Sequence, residues 1–465
     1  MSAVLADPQV LPRVVRLSTA VEVNPKIDRT GLTDETQVSF VPMAAVGAAS
    51  GHIDVSTVRP YAEVKKGYTN FRNGDVLFAK VTPCMENGKM AVARQLKSGV
   101  GFGSTEFHVL RPREGIDSQY IYYFVSSQTF RKEASGHMTG AVGLRRVPSA
   151  FLENAEVPLP PLERQREIVA ELEKQFSRLD EAVANLQRVK ANLKRYKASI
   201  LKAAVEGRIV ETEASIAHRE GRGGETGEQL LQRVLTARRA QWVGRGKYKE
   251  PDHAKQAKAF ALPDGWSWGT LDQLHLQIAD VDHKMPKAVD VGIPYVSTKD
   301  FFGDEGIDFA TAKRISTEDF NALSRKVRLE NGDILLSRYG TVGEVQLVTT
   351  DDPFQASYSV AILKPVRGLI PVSFLASVLR SDVVMSQIKR DVRATAQPDL
   401  GLAHIRLFVI PLPPVPEQIR IVAAVDRHLS IVREVEAEVD TNLKRAQALR
   451  QATLAKAFCG DGKHI

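Results

Sequence analysis

Between Leu162 and Glu206 the apolar residues Ile168, Leu172, Phe176, Leu179, Val183, Leu186, Val189, Leu193, Tyr196 and Ile200 follow one another at steps of three and four. That is the period of one helix face, held over several heptads. No Pro or Gly interrupts the run, and Gly207 stands where a helix stops. Val422, Val425, Leu429, Val432, Val439, Leu443 and Ala446 form a second such stripe, closed by Gly460. Two long helices are predicted. Forty-odd residues at about 1.5 Å each span roughly 65 Å. Each stripe needs cover, and the economical solution is that the two helices pair. The seam then sets Leu172, Phe176, Leu179, Val183, Leu186 and Leu193 against Val425, Leu429, Val432, Val439 and Leu443. The alternative is that each stripe packs on its own globular part or on another chain. A twofold relation between the two halves would make the pair antiparallel.

Both helices follow the same phrase. Val157–Val169 reads VPLPPLERQREIV and Ile410–Val422 reads IPLPPVPEQIRIV, 253 positions later. The prolines bar helix before each segment and suit its first turn. Upstream, NGDVLF (Asn73–Phe78) parallels NGDILL (Asn331–Leu336), and VLRP (Val109–Pro112) parallels ILKP (Ile362–Pro365). The offset drifts between these anchors, so the loops between them differ in length. The chain is one unit written twice: a globular part, then PLPP, then a long helix.

In the globular parts DVLF, DILL, EFHVL (Glu106–Leu110) and SVAIL (Ser359–Leu363) read as strands. Ser118–Ser135 and Val372–Val392 carry helical spacing. Each part reads as α+β with a mixed or antiparallel sheet. The division expected is a globular part over 1–156, a long helix over 157–207, a connector over 208–262, a second globular part over 263–409 and a second long helix over 410–460. Within the connector EGRGGETGEQ (Glu220–Gln229) reads as a loop and Glu228–Trp242 as a helix. The basic stretch GRGKYKEPDHAKQAKAF follows; solvated charge is the simpler reading, contact with DNA phosphates the other.

Composition changes this picture little. A chain of 465 residues with 43% hydrophobic and 25% charged content is ordinary for folded protein, with room for two cores. The net charge of +8 and pI near 9.3 permit nucleic-acid binding without requiring it. Cys84 and Cys459 are the only cysteines, which argues against a disulfide scaffold. The start MSAVLADPQVLPRVVRL lacks the apolar core of a signal peptide, and no apolar run is long enough to span a bilayer. A soluble cytoplasmic protein without membrane contact is expected.

Catalytic constellations are missing. GVGFGSTEF (Gly99–Phe107) leads into a strand rather than from a strand into a helix, so a glycine turn is expected and not a phosphate cradle. No histidine spacing suggests a metal, and no GKS/T loop exists. The Asn/Asp-Pro-Pro-aromatic tetrapeptide of adenine methyltransferases is absent, since Asp352-Pro353-Phe354 is one proline short. No catalytic residue and no metal site are expected in this chain.

The loops offer polar and basic display instead. Lys80, Thr82, Asn87 and Lys89 follow the NGDVLF strand, and Arg338, Tyr339, Thr341 and Gln346 follow NGDILL. A second display precedes each PLPP, with His137, Thr139, Arg145 and Arg146 in the first half and Arg393, Thr395, Gln397 and His404 in the second. Such side chains pair with phosphates and base edges. Singly each is an ordinary loop. Repeated at corresponding places with different contents, they look like one frame reading two different things.

These residues carry a resemblance to the specificity subunits of type I restriction–modification systems. The carriers are the two PLPP phrases, NGDILLSRYGTVG, GFGSTEFHVLRP, LPDGW (Leu262–Trp266), and the tails LKAAVEG and LAKAFCG. It covers essentially the whole chain. The resemblance implies an α+β fold of two pseudo-twofold-related target recognition domains, joined by two long helices in an antiparallel coiled coil. It implies that each domain binds one half of a split double-stranded DNA site and that coil length fixes the gap. Two modification subunits would bring S-adenosylmethionine and adenine-N6 methylation. Restriction subunits would bring ATP, Mg and cleavage. The chain itself would have no catalysis and no cofactor. Two departures stand out: Glu163-Arg164-Gln165 replaces the Glu-Gln found at Glu417-Gln418, and the first half has no LPxGW opening, Leu11-Pro12-Arg13-Val14 being at best a remnant.

Overall fold

The computed structural model describes residues 13–141, 143–242, 247–252, 260–283, 285–303, 306–392 and 398–458. Arg393, Thr395 and Gln397 of the second display lie outside the described residues. The chain divides into two units, one of Met1–Arg188 with Val439–Ile465, the other of Val189–Glu438.

The first unit contains two four-stranded sheets. One has the order Val21–Val23, Phe107–Pro112, Val76–Ala79, Met90–Val92, all neighbours antiparallel. The Asn-Gly-Asp anchor sets up its central strand. Gly74 turns at φ +89°, a conformation that favours glycine, and Asp75 Oδ2 accepts from Arg72 N at 2.8 Å. Arg111, from the VLRP anchor, donates Nε and Nη2 to the same carboxylate, both at 2.8 Å. Two anchors that looked independent in the sequence are therefore partners in space.

The other sheet has the order Val58–Pro60, Gln37–Val41, Val100–Gly103, Thr69–Arg72. Here the expected glycine turn is corrected: GVGFG is mostly strand. Val100–Gly103 pairs parallel with Gln37–Val41 and antiparallel with Thr69–Arg72. Its glycines make room, since a Cβ on Gly101 would lie 2.3 Å from the Phe71 ring. The helix expected over Ser118–Ser135 is two, Ser118–Ser126 and Gln128–Gly136. Ser127 breaks it in extended conformation, its side chain accepting from Phe130 N.

The second unit repeats this plan. Its four-stranded sheet has the order His275–Ala279, Val360–Pro365, Ile334–Ser337, Val345–Leu347. A three-stranded sheet runs Lys313–Ile315, Ile293–Val296, Gln355–Ala356, again with one parallel pair. Gly332 turns at φ +83°, Asp333 Oδ2 accepts from Glu330 N at 2.9 Å, and Lys364 of ILKP donates to it at 2.6 Å. Val372–Val392 is likewise split, into Val372–Leu379 and Asp382–Asp391.

Each PLPP phrase opens as a strand. Glu156–Leu159 pairs antiparallel with Arg13–Arg16, and Val409–Leu412 pairs in the same way with Ser267–Thr270. Arg13–Arg16 thus holds the place in the first unit that follows LPDGW in the second. The segment Arg208–Leu262 is more than a link. It holds an unanticipated helix, Glu213–Glu220, and its helix Gly227–Ala240 gives Leu230, Leu231 and Val234 to the core of the second unit.

The long helices are Leu162–Val205 and Val415–Phe458. In the first unit Val169, Leu172 and Phe176, near the start of one, share a core with Leu454 near the end of the other. Arg450 lies over the Phe176 ring at 4.3 Å and pairs with Asp180 at 2.7 Å. In the second unit Ile200 and Ala204, near the end of the first helix, share a core with Ile421, Val425 and Val432 near the start of the second. Start meets end in both units, so the pair is antiparallel. Leu172, Phe176, Val425, Val432 and Val439 are buried; Leu179, Val183, Leu186, Leu193, Leu429 and Leu443 are half-buried. Val189 and Tyr196 of the apolar stripe are exposed, Tyr196 by 45%, because a 3.6-residue helix drifts off a strict heptad seam.

Candidate nucleic-acid interface

The two polar displays of each half, far apart in sequence, are zipped together by backbone hydrogen bonds. In the first unit Val147 N donates to Lys80 O at 2.9 Å and Thr82 N to Arg145 O at 3.0 Å. Arg145 N donates to Thr82 Oγ1 at 3.1 Å, and Thr139 pairs with Arg146. In the second unit Leu400 N donates to Arg338 O at 2.9 Å and Gly340 N to Pro398 O at 3.2 Å. Arg338 follows the NGDILL strand as Lys80 follows NGDVLF, and Leu400 precedes PLPP as Val147 does. The frame is the same and the side chains on it differ.

Lys80, Thr82, Thr139, Arg145 and Arg146 come together on the first unit. Thr139, Arg145 and Arg146 are exposed, Lys80 and Thr82 half-buried. The arginines are held by carboxylates that sequence reasoning missed. Arg146 donates Nε and Nη2 to Glu106 at 2.9 and 2.7 Å, and Arg145 Nη2 lies 3.7 Å from Glu86. The bond from Arg146 holds the Glu106 carboxyl below its ordinary range against the cost of its burial. Asn87 is exposed on the same loop. Lys89 stands apart, its ammonium donating to Met43 O at 3.1 Å. His137 stacks on Phe151 at 4.7 Å.

On the second unit Tyr339 is half-buried, and Thr341 and His404 are exposed. Gln346 is buried and bonds to Gly303 O. Arg338 is only 6% exposed, paired with Asp280 at 2.9 Å. Asp280 directly follows the strand His275–Ala279. A lone Asp after a strand carries no signal in one sequence, which is why this partner was not foreseen.

The joints carry no display of their own but differ in wiring. Gln165 Nε2 donates to Pro160 O at 2.8 Å and Gln418 Nε2 to Pro413 O at 2.7 Å. Glu417 is fully buried, accepting from Glu213 N at 2.8 Å and Trp266 Nε1 at 3.0 Å, whereas its counterpart Arg164 pairs with Glu167 on the surface.

Each of the two α+β units presents one loop frame with its own side chains. The family described as the type I restriction modification DNA specificity domain matches residues 14–195 and 277–444, more than half of the chain, and the chain belongs to that family. It is 27% identical to the type I restriction enzyme EcoAI specificity subunit of Escherichia coli, over 94% of this chain and 81% of that one. It is 26% identical to the EcoEI specificity subunit of the same organism, over 95% and 82%. A solved chain from work on complex assembly and conformational transition of the type I R-M system shares the fold, with TM-score 0.65, 23% identity and coverage of 98% of this chain and all of that one. Among the described residues no helix is long and apolar enough to cross a membrane.

Proposed function

We propose that this chain is the specificity subunit of a type I restriction–modification enzyme, reading a split site on double-stranded DNA with one half-site per unit. The observation that carries this is the repeated loop frame, closed by the Lys80–Val147 backbone bond in one unit and the Arg338–Leu400 bond in the other, with unlike side chains on it. Cations such as Lys80, Arg145 and Arg146 supply salt-dependent affinity for phosphates, and hydrogen-bonding side chains such as Thr82, Asn87, Thr139, Tyr339 and Thr341 choose bases. The paired long helices fix the unread gap. Two modification subunits dock on the helices and joints and bring S-adenosylmethionine. Restriction subunits bring ATP and Mg. Methyl transfer and cleavage therefore reside in partners, and this chain positions them.

The test is a matched insertion of one heptad into each long helix, between Arg188 and Val189 and between Glu438 and Val439. The accepted gap should change while both half-site sequences stay as they were. A changed half-site with an unchanged gap contradicts this division of labour. The competing reading is a self-sufficient methyltransferase. Purified chain with DNA and labelled S-adenosylmethionine decides against it if no label enters the DNA until a modification subunit is added.

A further inference from the structure

We propose that the rings of His283, Tyr339 and Tyr358 form the base-reading face of the second unit, and that Arg338 beneath them is a positioning residue and not a phosphate contact. This rests on the DNA-reading function proposed above. It assigns that function, in this unit, to side chains of a different chemistry.

Arg338 has no donor to spare. Nε donates to Leu400 O at 3.0 Å, and Nη1 donates to Asp280 at 2.9 Å and to Tyr358 O at 3.3 Å. Nη2 faces the Tyr339 hydroxyl at 3.4 Å and Asp399 at 3.5 Å. A guanidinium so enclosed and so paired presents neither charge nor hydrogens to a backbone phosphate. Its bonds instead tie together the three segments that carry or flank the rings: the strand end at Asp280, the loop at Tyr358 and the loop at Leu400. The guanidinium also lies 4.3 Å from the centre of the Tyr339 ring.

Above it the rings touch one another. His283 stacks on Tyr358 at 4.8 Å and 28°, and Tyr339 meets Tyr358 edge-on at 5.8 Å. His283 is exposed, its side chain by 57%, and both tyrosines are half-buried. A core cluster would be covered; this one is held by Arg338 and leaves His283 exposed. Two hydroxyls and an imidazole offer donors and acceptors to base edges, and the ring faces offer apolar contact to a thymine methyl or to an unstacked base. The equivalent frame of the first unit carries Lys80 and Val81 after its strand, with Arg145 and Arg146 beside them. One unit thus sets hydrogen-bonding side chains among cations on this frame, the other sets rings on it.

The experiment uses the chain assembled with its modification subunit, and duplex libraries with one half-site held and the other randomised, selected at two salt concentrations. Tyr339→Ala and Tyr358→Ala should each lose about tenfold discrimination at one or two base pairs of one half-site. The other half-site, and the slope of log affinity against log salt, should not move. Tyr339→Phe keeps the ring and the Arg338–Asp280 pair, removing only the hydroxyl that Arg338 Nη2 faces at 3.4 Å, and should relax discrimination at the same position with an unchanged denaturation midpoint, which separates reading from misfolding. Arg338→Gln should mimic the tyrosine losses. Unchanged selectivity in all the tyrosine variants overturns the proposal, as does a salt slope lowered by about one phosphate in Arg338→Gln. A wild-type complex with no sequence preference in either half-site would instead overturn the underlying DNA-reading function.

Discussion

Trp266 donates its indole N–H to Glu417 at 3.0 Å, across 151 positions of chain. The bond joins the two phrases that the first half of the chain lacks together: LPDGW and the Glu of PLPP-x-x-Glu-Gln. Arg164 stands where Glu417 would, and no tryptophan precedes Arg13–Arg16. The two departures are one departure. Without the indole donor a buried carboxylate at position 164 would be short of a partner, and an arginine facing solvent costs nothing.

Trp266→Phe should destabilise the second unit by about 1–3 kcal/mol, the cost of a buried acceptor left unpaired. Burial already pushes the Glu417 carboxyl above its ordinary range, and the bonds from Glu213 N and Trp266 only partly oppose it. A carboxyl raised in the folded state favours folding most at acid pH, and this contribution falls as pH rises through the raised value. Losing a donor raises it further, so the variant should lose more stability at pH 8 than at pH 5. All three tryptophans, Trp242, Trp266 and Trp268, lie in the second unit. Fluorescence of the remaining two during denaturation therefore reports that unit. An equal loss at both pH values would contradict the assignment.

Gln165 and Gln418 should not be equally costly to remove. Gln165 also accepts from Asp117 N at 2.9 Å. The matching residue before the helix of the second unit is Pro371, which has no N–H, and the Gln418 side-chain oxygen is buried without a hydrogen-bond partner among the described residues. Gln165→Ala should cost about 1 kcal/mol more than Gln418→Ala. Hydrogen exchange around Asp117–Tyr120, against the exchange around Val372–Leu375, measures the difference.

Arg111→Met should cost about 3–5 kcal/mol, since it strands the buried Asp75 carboxylate. Arg111→Lys should recover only part of that loss, because a lysine reaches one carboxylate oxygen as Lys364 does on Asp333, where Arg367 takes the other. Denaturant melts of the two variants settle it. Equal losses would mean that the paired anchors are not equivalent.

Gly101→Ala should destabilise the first unit by about 1–3 kcal/mol, through the clash of the new methyl with the buried Phe71 ring. Adding Phe71→Leu should recover part of that loss, and a double-mutant cycle reads the coupling. Independent losses would mean that the glycine serves something other than strand packing.

The sequence was most legible where it repeats. Both helices, the PLPP joints and the NGD turns were visible because each rests on local rules of spacing, proline and glycine. What stayed hidden was long-range. Nothing in GVGFG says that Gly101 lies against Phe71, so a strand reads as a turn. Ser127 reads as one more polar residue on a helix until its side chain is seen capping a new one. In the candidate interface the display loops are legible, but the enclosure of Arg338 is not, because its partner Asp280 is 58 positions away. Glu106, which holds Arg146 from 40 positions away, is hidden for the same reason.

The most direct test of the account is sequencing of methylated adenines in the DNA of a host carrying this chain with its modification subunit. The account predicts two short half-sites separated by a gap of fixed length and free sequence, both lost when the chain is deleted. A single uninterrupted motif, or methylation that persists without the chain, would contradict it.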